Sequence, residues 1–201
     1  VKLVLATNNK DKIREIKDVL KDLPVEILTR DDFENFPDIE ETGATLEDNA
    51  LLKANGIAAF TNCASLADDS GLEVDYLNGA PGVYSSRYAG EDVTYADNNT
   101  KLLEALAGVP KEQRTARFRC VIAINWGDGT TDVCEGKAEG LISEEIGGKE
   151  GFGYDPVFFY PHKNKRFSEM TLEEKNGVSH RGLALKAAVY VIRQRLQKPR
   201  G

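Results

Sequence analysis

The run TARFRCVIAINWGDGTTDVCEGKAEGLI, residues 115–142, decides the fold. Phe118, Cys120, Ile122 and Ile124 fall on one side of an alternating pattern, the two-residue period of a strand with a buried face. Gly127-Asp128-Gly129 then turns the chain back into a second β-like run, so the stretch predicts a long β-hairpin. A hairpin of this length breaks the strand–helix–strand rhythm of a purely parallel sheet.

Upstream, residues 2–6 form a short β-like run. Residues 11–20 then place Ile13, Ile16, Val19 and Leu20 at helical spacing. Residues 25–28 read as a second strand and 30–42 as an acidic loop. Residues 45–60 predict a helix capped by Thr45, with Glu47 and Asp48 in its first turn and Leu46, Ala50, Ala54 and Ile57 as its apolar stripe. Residues 64–67 predict a strand that ends in Asp68-Asp69, with Ser70-Gly71 as a tight turn. A Gly/Pro turn at 78–82, a loop at 87–92 and a helix at 95–106 follow. Downstream of the hairpin come a short strand at 157–160 and a helical turn at 171–175. Ser179 caps a last helix reaching about residue 197, burying Leu185, Ala188, Val189, Ile192 and Leu196. The mixture predicts an α/β fold (α+β is the alternative) with a mixed sheet and flanking helices. The hairpin is expected to form a second lobe, so that residues 1–201 make one two-lobed domain around a central substrate cleft.

The formal net charge of −7 argues against non-specific binding to nucleic acid or an anionic membrane, which needs a basic face. The three cysteines, Cys63, Cys120 and Cys134, are odd in number and contain no CxxC, which disfavours a disulfide framework or a structural zinc site. The apolar run at the start is about one strand long, and no later run nears the roughly 20 residues of a membrane span. A soluble, cytoplasmic protein is expected.

Four constellations carry chemistry. In TNNKDK, residues 7–12, a strand ends, polar residues turn and a helix begins. Free N–H groups with Thr7, Asn8, Asn9 and Lys12 suit a phosphate, although an ordinary helix cap reads the same way locally. The acids Glu40-Glu41 and Asp68-Asp69 offer hard oxygen ligands for Mg²⁺ or a base for water, against the reading of solvated acidic loops. In GGKEGFGYDP, residues 147–156, Phe152 and Tyr154 offer flat faces to a base and Asp155 an acceptor, or else these are core aromatics beside a Gly-rich turn. In EEKNGVSHRG, residues 173–182, Lys175, His180 and Arg181 gather about a helix start, where the helix dipole disfavours cations. Lys53 stands at the edge of an apolar helical stripe, where it either snorkels or reaches into a cleft.

LATNNKDKIREI, EETGATLEDNALLKA, ADDSGLEVDYLNGAPGVYSSRYAG, ARFRC, GFGYDPVFF and EEKNGVSHRGLAL occur in that order and span nearly the whole chain. Together they resemble the inosine triphosphate pyrophosphatase family, the XTP/dITP diphosphatases. The resemblance implies a two-lobed α/β fold, a homodimer and Mg²⁺-dependent hydrolysis of purine nucleoside triphosphates carrying deaminated bases, giving the monophosphate and pyrophosphate. It further implies that Thr7, Asn8, Asn9, Lys10, Asp11 and Lys12 bind the triphosphate. By the same resemblance, Glu40 and Asp69 would hold the metal, Asp69 would accept the proton of water, and Asp68 would support both. Ser70 and Lys53 would meet phosphate or the reacting centre. Phe152, Gly153, Tyr154 and Asp155 would contact the nucleoside, and Lys175, His180 and Arg181 would complete the base and phosphate contacts. Asn8 stands where many members have Gly, which puts the dihedral of that turn in question.

Overall fold

The computed structural model describes residues 1–197. Seven strands form one mixed sheet in the order β2-β1-β3-β4-β5-β6-β7. They are β1 (Lys2–Leu5), β2 (Glu26–Leu28), β3 (Ala64–Val74), β4 (Thr115–Asn125), β5 (Thr131–Ile142), β6 (Phe158–Tyr160) and β7 (Lys165–Arg166). β1 runs parallel to β2 and β3, with Val4 opposite Leu28 and Ser65, whereas β5–β6 and β6–β7 are antiparallel. The predicted hairpin is β4–β5. Gly127 and Gly129, both at positive φ, supply its turn, and Trp126 N donates to Thr130 O at 3.0 Å.

The helices are α1 (Lys10–Leu20), α2 (Leu46–Thr61), α3 (Tyr95–Ala105), α4 (Leu172–Val178) and α5 (His180–Gln197). Three of them start on the same device. Thr45, Thr94 and Thr171 each accept from the backbone N–H three residues on, and Asp48, Asp97 and Glu174 reach back to the cap's own N–H. Asn9 caps α1 by accepting from Asp11 N and Lys12 N.

The chain divides into two compact units, each with its own core. The first comprises Val1–Asp69, Cys120–Gly136 and the segment from Arg181 onward; the second comprises Ser70–Arg119 and Lys137–His180. Leu3, Leu5, Ile16, Leu66, Ile122, Leu185 and Ile192 are among the buried residues of the first core. Leu72, Leu102, Phe118, Tyr154, Phe158 and Phe167 are among those of the second.

Two expectations are corrected. β3 does not end at Ala67, because Asp68, Asp69, Ser70 and Gly71 are interior strand residues. What read as a turn is a place where another backbone passes close: a Cβ on Gly71 would lie 2.4 Å from Gly82 O. The helical turn at 171–175 is a helix running to Val178, so Lys175 sits in its last turn, where the dipole favours a cation.

Candidate active site

In the first unit, β3 carries two carboxylates into the protein interior. Asp68 is fully buried and Asp69 is 6% exposed. Unpaired buried charge is very costly, so cations converge on the pair. Lys53, from α2, donates its ammonium to Glu41 Oε1 at 2.6 Å, Asp68 O at 2.8 Å and Asp69 Oδ1 at 3.2 Å. Asp68 Oδ2 meets Lys12 Nζ at 3.2 Å and Arg181 Nε at 3.0 Å, while Arg181 Nη1 donates to Glu15 Oε2 at 2.7 Å. Asp68 Oδ1 is buried without a hydrogen-bond partner. Four carboxylates thus face three cations.

The two neighbouring acids titrate in opposite directions. Burial raises the pKa of Asp68, but Lys12, Arg181 and Lys53 outweigh it and hold the carboxyl below the ordinary range. Burial raises Asp69, and Glu41 and Asp68 add to this against Lys53 and Lys12, leaving its pKa above the ordinary value. Burial lowers the pKa of Lys53, yet Asp69, Asp68 and Glu41 more than restore it, so the ammonium persists. Environments that push two acids apart in this way favour different roles: Asp68 stays a fixed anion and Asp69 is the more basic of the two.

Near α1, Thr7, Asn9, Asp11 and Lys12 are partly exposed, and Asn8 and Lys10 are exposed. Asn8 is not among the residues at positive φ, so its substitution for Gly strains nothing. Its Nδ2 donates to Asp38 Oδ1 at 2.7 Å.

Among the expected first-unit residues, Glu40 and Arg181 stand differently from their assigned roles. Glu40 is exposed, and it is Glu41 that shares Lys53 with Asp69. Arg181 is 2% exposed and held by two buried carboxylates, so here it supports Asp68 rather than presenting itself to a base. Glu15 was not expected at all. Its one signal is an acid beside Ile16, three residues after Lys12, on a helix that also buries Ile16 and Leu20.

In the second unit, the loop after β5 is braced from within. Asp155 Oδ2 accepts from Phe152 N at 2.9 Å and from Lys175 Nζ at 2.6 Å. A Cβ on Gly151, at φ +80°, would lie 2.2 Å from that same oxygen. The Lys175 ammonium also lies 4.6 Å from the Phe152 ring centroid. Tyr154 is buried and donates its hydroxyl to Ser85 O at 2.8 Å. Phe152 and Gly153 are therefore the partly exposed pair of the four, whereas the Tyr154 and Asp155 side chains organise the loop. His180 is 4% exposed and stacks on Phe118, with centroids 4.4 Å apart and planes 8° apart, as a core ring does.

A family model described as the Ham1 family matches residues 3–191. The chain is 51% identical over 192 residues to a dITP/XTP pyrophosphatase of Desulforamulus reducens, covering 96% of each chain. It is 50% identical over 190 residues to the dITP/XTP pyrophosphatase of Clostridium perfringens, covering 92% of this chain and 93% of that one. The solved HAM1 protein of Coxiella burnetii superposes with a TM-score of 0.88 at 44% identity, over 96% of this chain and 99% of that one. Matches of this extent and identity leave one conclusion: the chain belongs to the Ham1 family.

Proposed function

We propose that the protein hydrolyses the triphosphates of deaminated purines, ITP, dITP and XTP, to the monophosphate and pyrophosphate, keeping such bases out of DNA and RNA. The observation that carries the reading is Asp69, a nearly buried carboxylate made more basic by its surroundings and held by Lys53, in a chain half identical to dITP/XTP pyrophosphatases.

Among the described residues, no group of three or more His, Cys, Asp or Glu side chains is arranged to hold a metal. Mg²⁺ does not need such a cage, since one or two carboxylates with waters and substrate phosphates suffice. The hard oxygens of Asp69 and of the Glu40-Glu41 pair fit that requirement. Of the two, Glu41 shares the Lys53 ammonium with Asp69. When bound, the metal supplies positive charge to the phosphate oxygens.

The chain's own residues do the rest. Asp69 takes a proton from water as the water oxygen bonds to the α-phosphorus. The bond from that phosphorus to the bridging oxygen breaks, and pyrophosphate leaves with the electron pair. Lys53 and Lys12 oppose the growing charge, and the α1 N-terminus with Thr7, Asn8, Asn9, Lys10 and Asp11 binds phosphate. Ser70 contacts phosphate. In the second unit, Phe152 and Gly153 contact the nucleoside, and Lys175 braces that stretch through Asp155 and the Phe152 ring. Hypoxanthine and xanthine present O6 and N1–H where adenine presents an amino group and a bare N1. A site that donates to O6 and accepts from N1–H leaves both groups unpaired with adenine, at about 1–3 kcal/mol each. A cytoplasmic homodimer belongs to the same reading.

The test is product analysis by ³¹P NMR with ITP, ATP and GTP, with and without Mg²⁺. Pyrophosphate and IMP, formed only with metal and fastest from ITP, are expected. Orthophosphate as first product indicates a phosphatase instead, and ITP binding without turnover a sensor. Asp69→Asn is expected to cut kcat by at least about 10²-fold with an unchanged circular dichroism spectrum. Near wild-type kcat in that variant removes Asp69 from the mechanism.

A further inference from the structure

The second unit holds a polar side chain that the proposed reaction does not use. Asn99, in α3, is 2% exposed. Its Nδ2 donates to Tyr95 O in the first turn of its own helix and to Gly153 O, 54 residues on, both at 2.8 Å. Both partners are carbonyl oxygens, so the amide nitrogen must face them and the carboxamide cannot be flipped. Its Oδ1 is then left buried with no hydrogen-bond partner. Asn is a poor residue for a helix interior, and a buried acceptor without a donor is rare. A side chain kept at that cost has a task at its other end.

That end is the carbonyl between Phe152 and Tyr154, at a glycine with φ +60°. The same helix sets Tyr95 with its ring centroid 6.0 Å from that of Phe152. The Asp155–Lys175 pair holds the loop from the opposite side in sequence, through Phe152 N and the Phe152 ring. Backbone N–H, ring and following carbonyl of the 152–153 pair are thus each tied to a different group. We propose that Asn99 is a positioning residue, which with Tyr95 fixes Phe152 and Gly153 as a rigid platform for the purine. This rests on the reading that those two residues contact the nucleoside.

A platform lost from the base side weakens substrate binding without touching the chemistry at phosphate. Asn99→Ala is expected to raise KM for ITP about tenfold, with kcat at saturation within about twofold of wild type. The inhibition constant of inorganic tripolyphosphate, which has no base, is expected to stay unchanged. Phe152→Ala serves as the control and is expected to raise KM at least as much. If Phe152→Ala raises KM but a folded Asn99→Ala does not, the positioning role is overturned while the nucleoside reading stands. If Phe152→Ala leaves KM unchanged, the nucleoside reading fails and this inference with it. A parallel weakening of tripolyphosphate inhibition in Asn99→Ala shows general damage and also overturns the role. Should Asn99→Ala not fold, Tyr95→Ala decides. Tyr95 is 43% exposed, and its loss is expected to raise KM for ITP several-fold with tripolyphosphate inhibition unaltered; an unchanged KM rejects the platform.

Discussion

Asp68 has two cations on one oxygen, none on the other, and no exposure to solvent. Its environment decides how much it matters. An exposed pair such as Lys21–Asp18 contributes about 0.2–1 kcal/mol, because water and salt screen it. Removing one member of a buried charge network instead leaves the others uncompensated, at roughly 3–5 kcal/mol. Asp68→Asn removes the charged partner of Arg181 Nε and of Lys12, so the unfolding free energy measured in urea is expected to fall by that order. The pH dependence follows from the depressed pKa. A carboxyl whose folded pKa lies below its unfolded value near 3.9 gives its stability in full above the unfolded value. That stability is lost as pH falls from there through the folded pKa, because the unfolded chain then binds more protons. The metal-free protein is therefore expected to lose stability steeply below about pH 4, and Asp68→Asn to flatten that loss; equal slopes by circular dichroism in acid and urea would refute the assignment. Asp68, Lys12 and Lys53 were legible in the sequence because charges sat against apolar runs. Arg181 was legible as an oddity, but not its partners, which lie 113 and 166 residues away. No local pattern records a contact of that span.

β3 shows at the scale of an element why the site was half readable. Ser70-Gly71 carries the chemistry of a turn, yet Leu72 and Val74 continue the buried alternation and the strand runs through to Val74. The glycine serves packing, since the carbonyl of Gly82 occupies the space a Cβ needs. Ser85 completes the join, accepting from Leu72 N at 2.9 Å and donating to Gly82 O at 2.6 Å. Gly71→Ala must displace backbone rather than a flexible side-chain end, so a loss of about 1–3 kcal/mol is expected, read as a lower urea midpoint with unchanged m-value. A change within 0.5 kcal/mol, on the scale of an ordinary surface substitution, would show that the 82–85 segment yields freely. Elements with a local cause were read nearly as they are. The Thr45 cap of α2 and the glycines of the β4–β5 turn act within three residues, so the sequence contains the whole interaction. The short 3-10 helix Gly82–Arg87 was not read, since only its ends fell within the turn at 78–82 and the loop at 87–92, and what fixes it are contacts distant in sequence with Leu72, Asn98 and Tyr154.

Among the described residues, two cores draw on the same long strands. β3 passes from the first unit to the second at Asp69 and Ser70, β4 leaves the second for the first after Arg119, and β5 returns after Gly136. Each long strand therefore contributes to both cores, as β4 does with Phe118 in one and Ile122 in the other. This continuity makes a prediction about folding. Ile122→Ala opens a cavity in the first core and Phe158→Ala in the second, and both side chains are fully buried. Such truncations cost about 2–5 kcal/mol each. Loss of strand hydrogen bonding in one core is expected to fray the same strands in the other. Both variants are thus expected to lower a single unfolding transition that near-UV and far-UV circular dichroism report together. If Phe158→Ala instead splits the melt in two, with the Trp126 signal of the first unit surviving the earlier step, the units fold independently. In that case the long strands carry no cooperativity, and the carboxylate site of the first unit would survive loss of the second core.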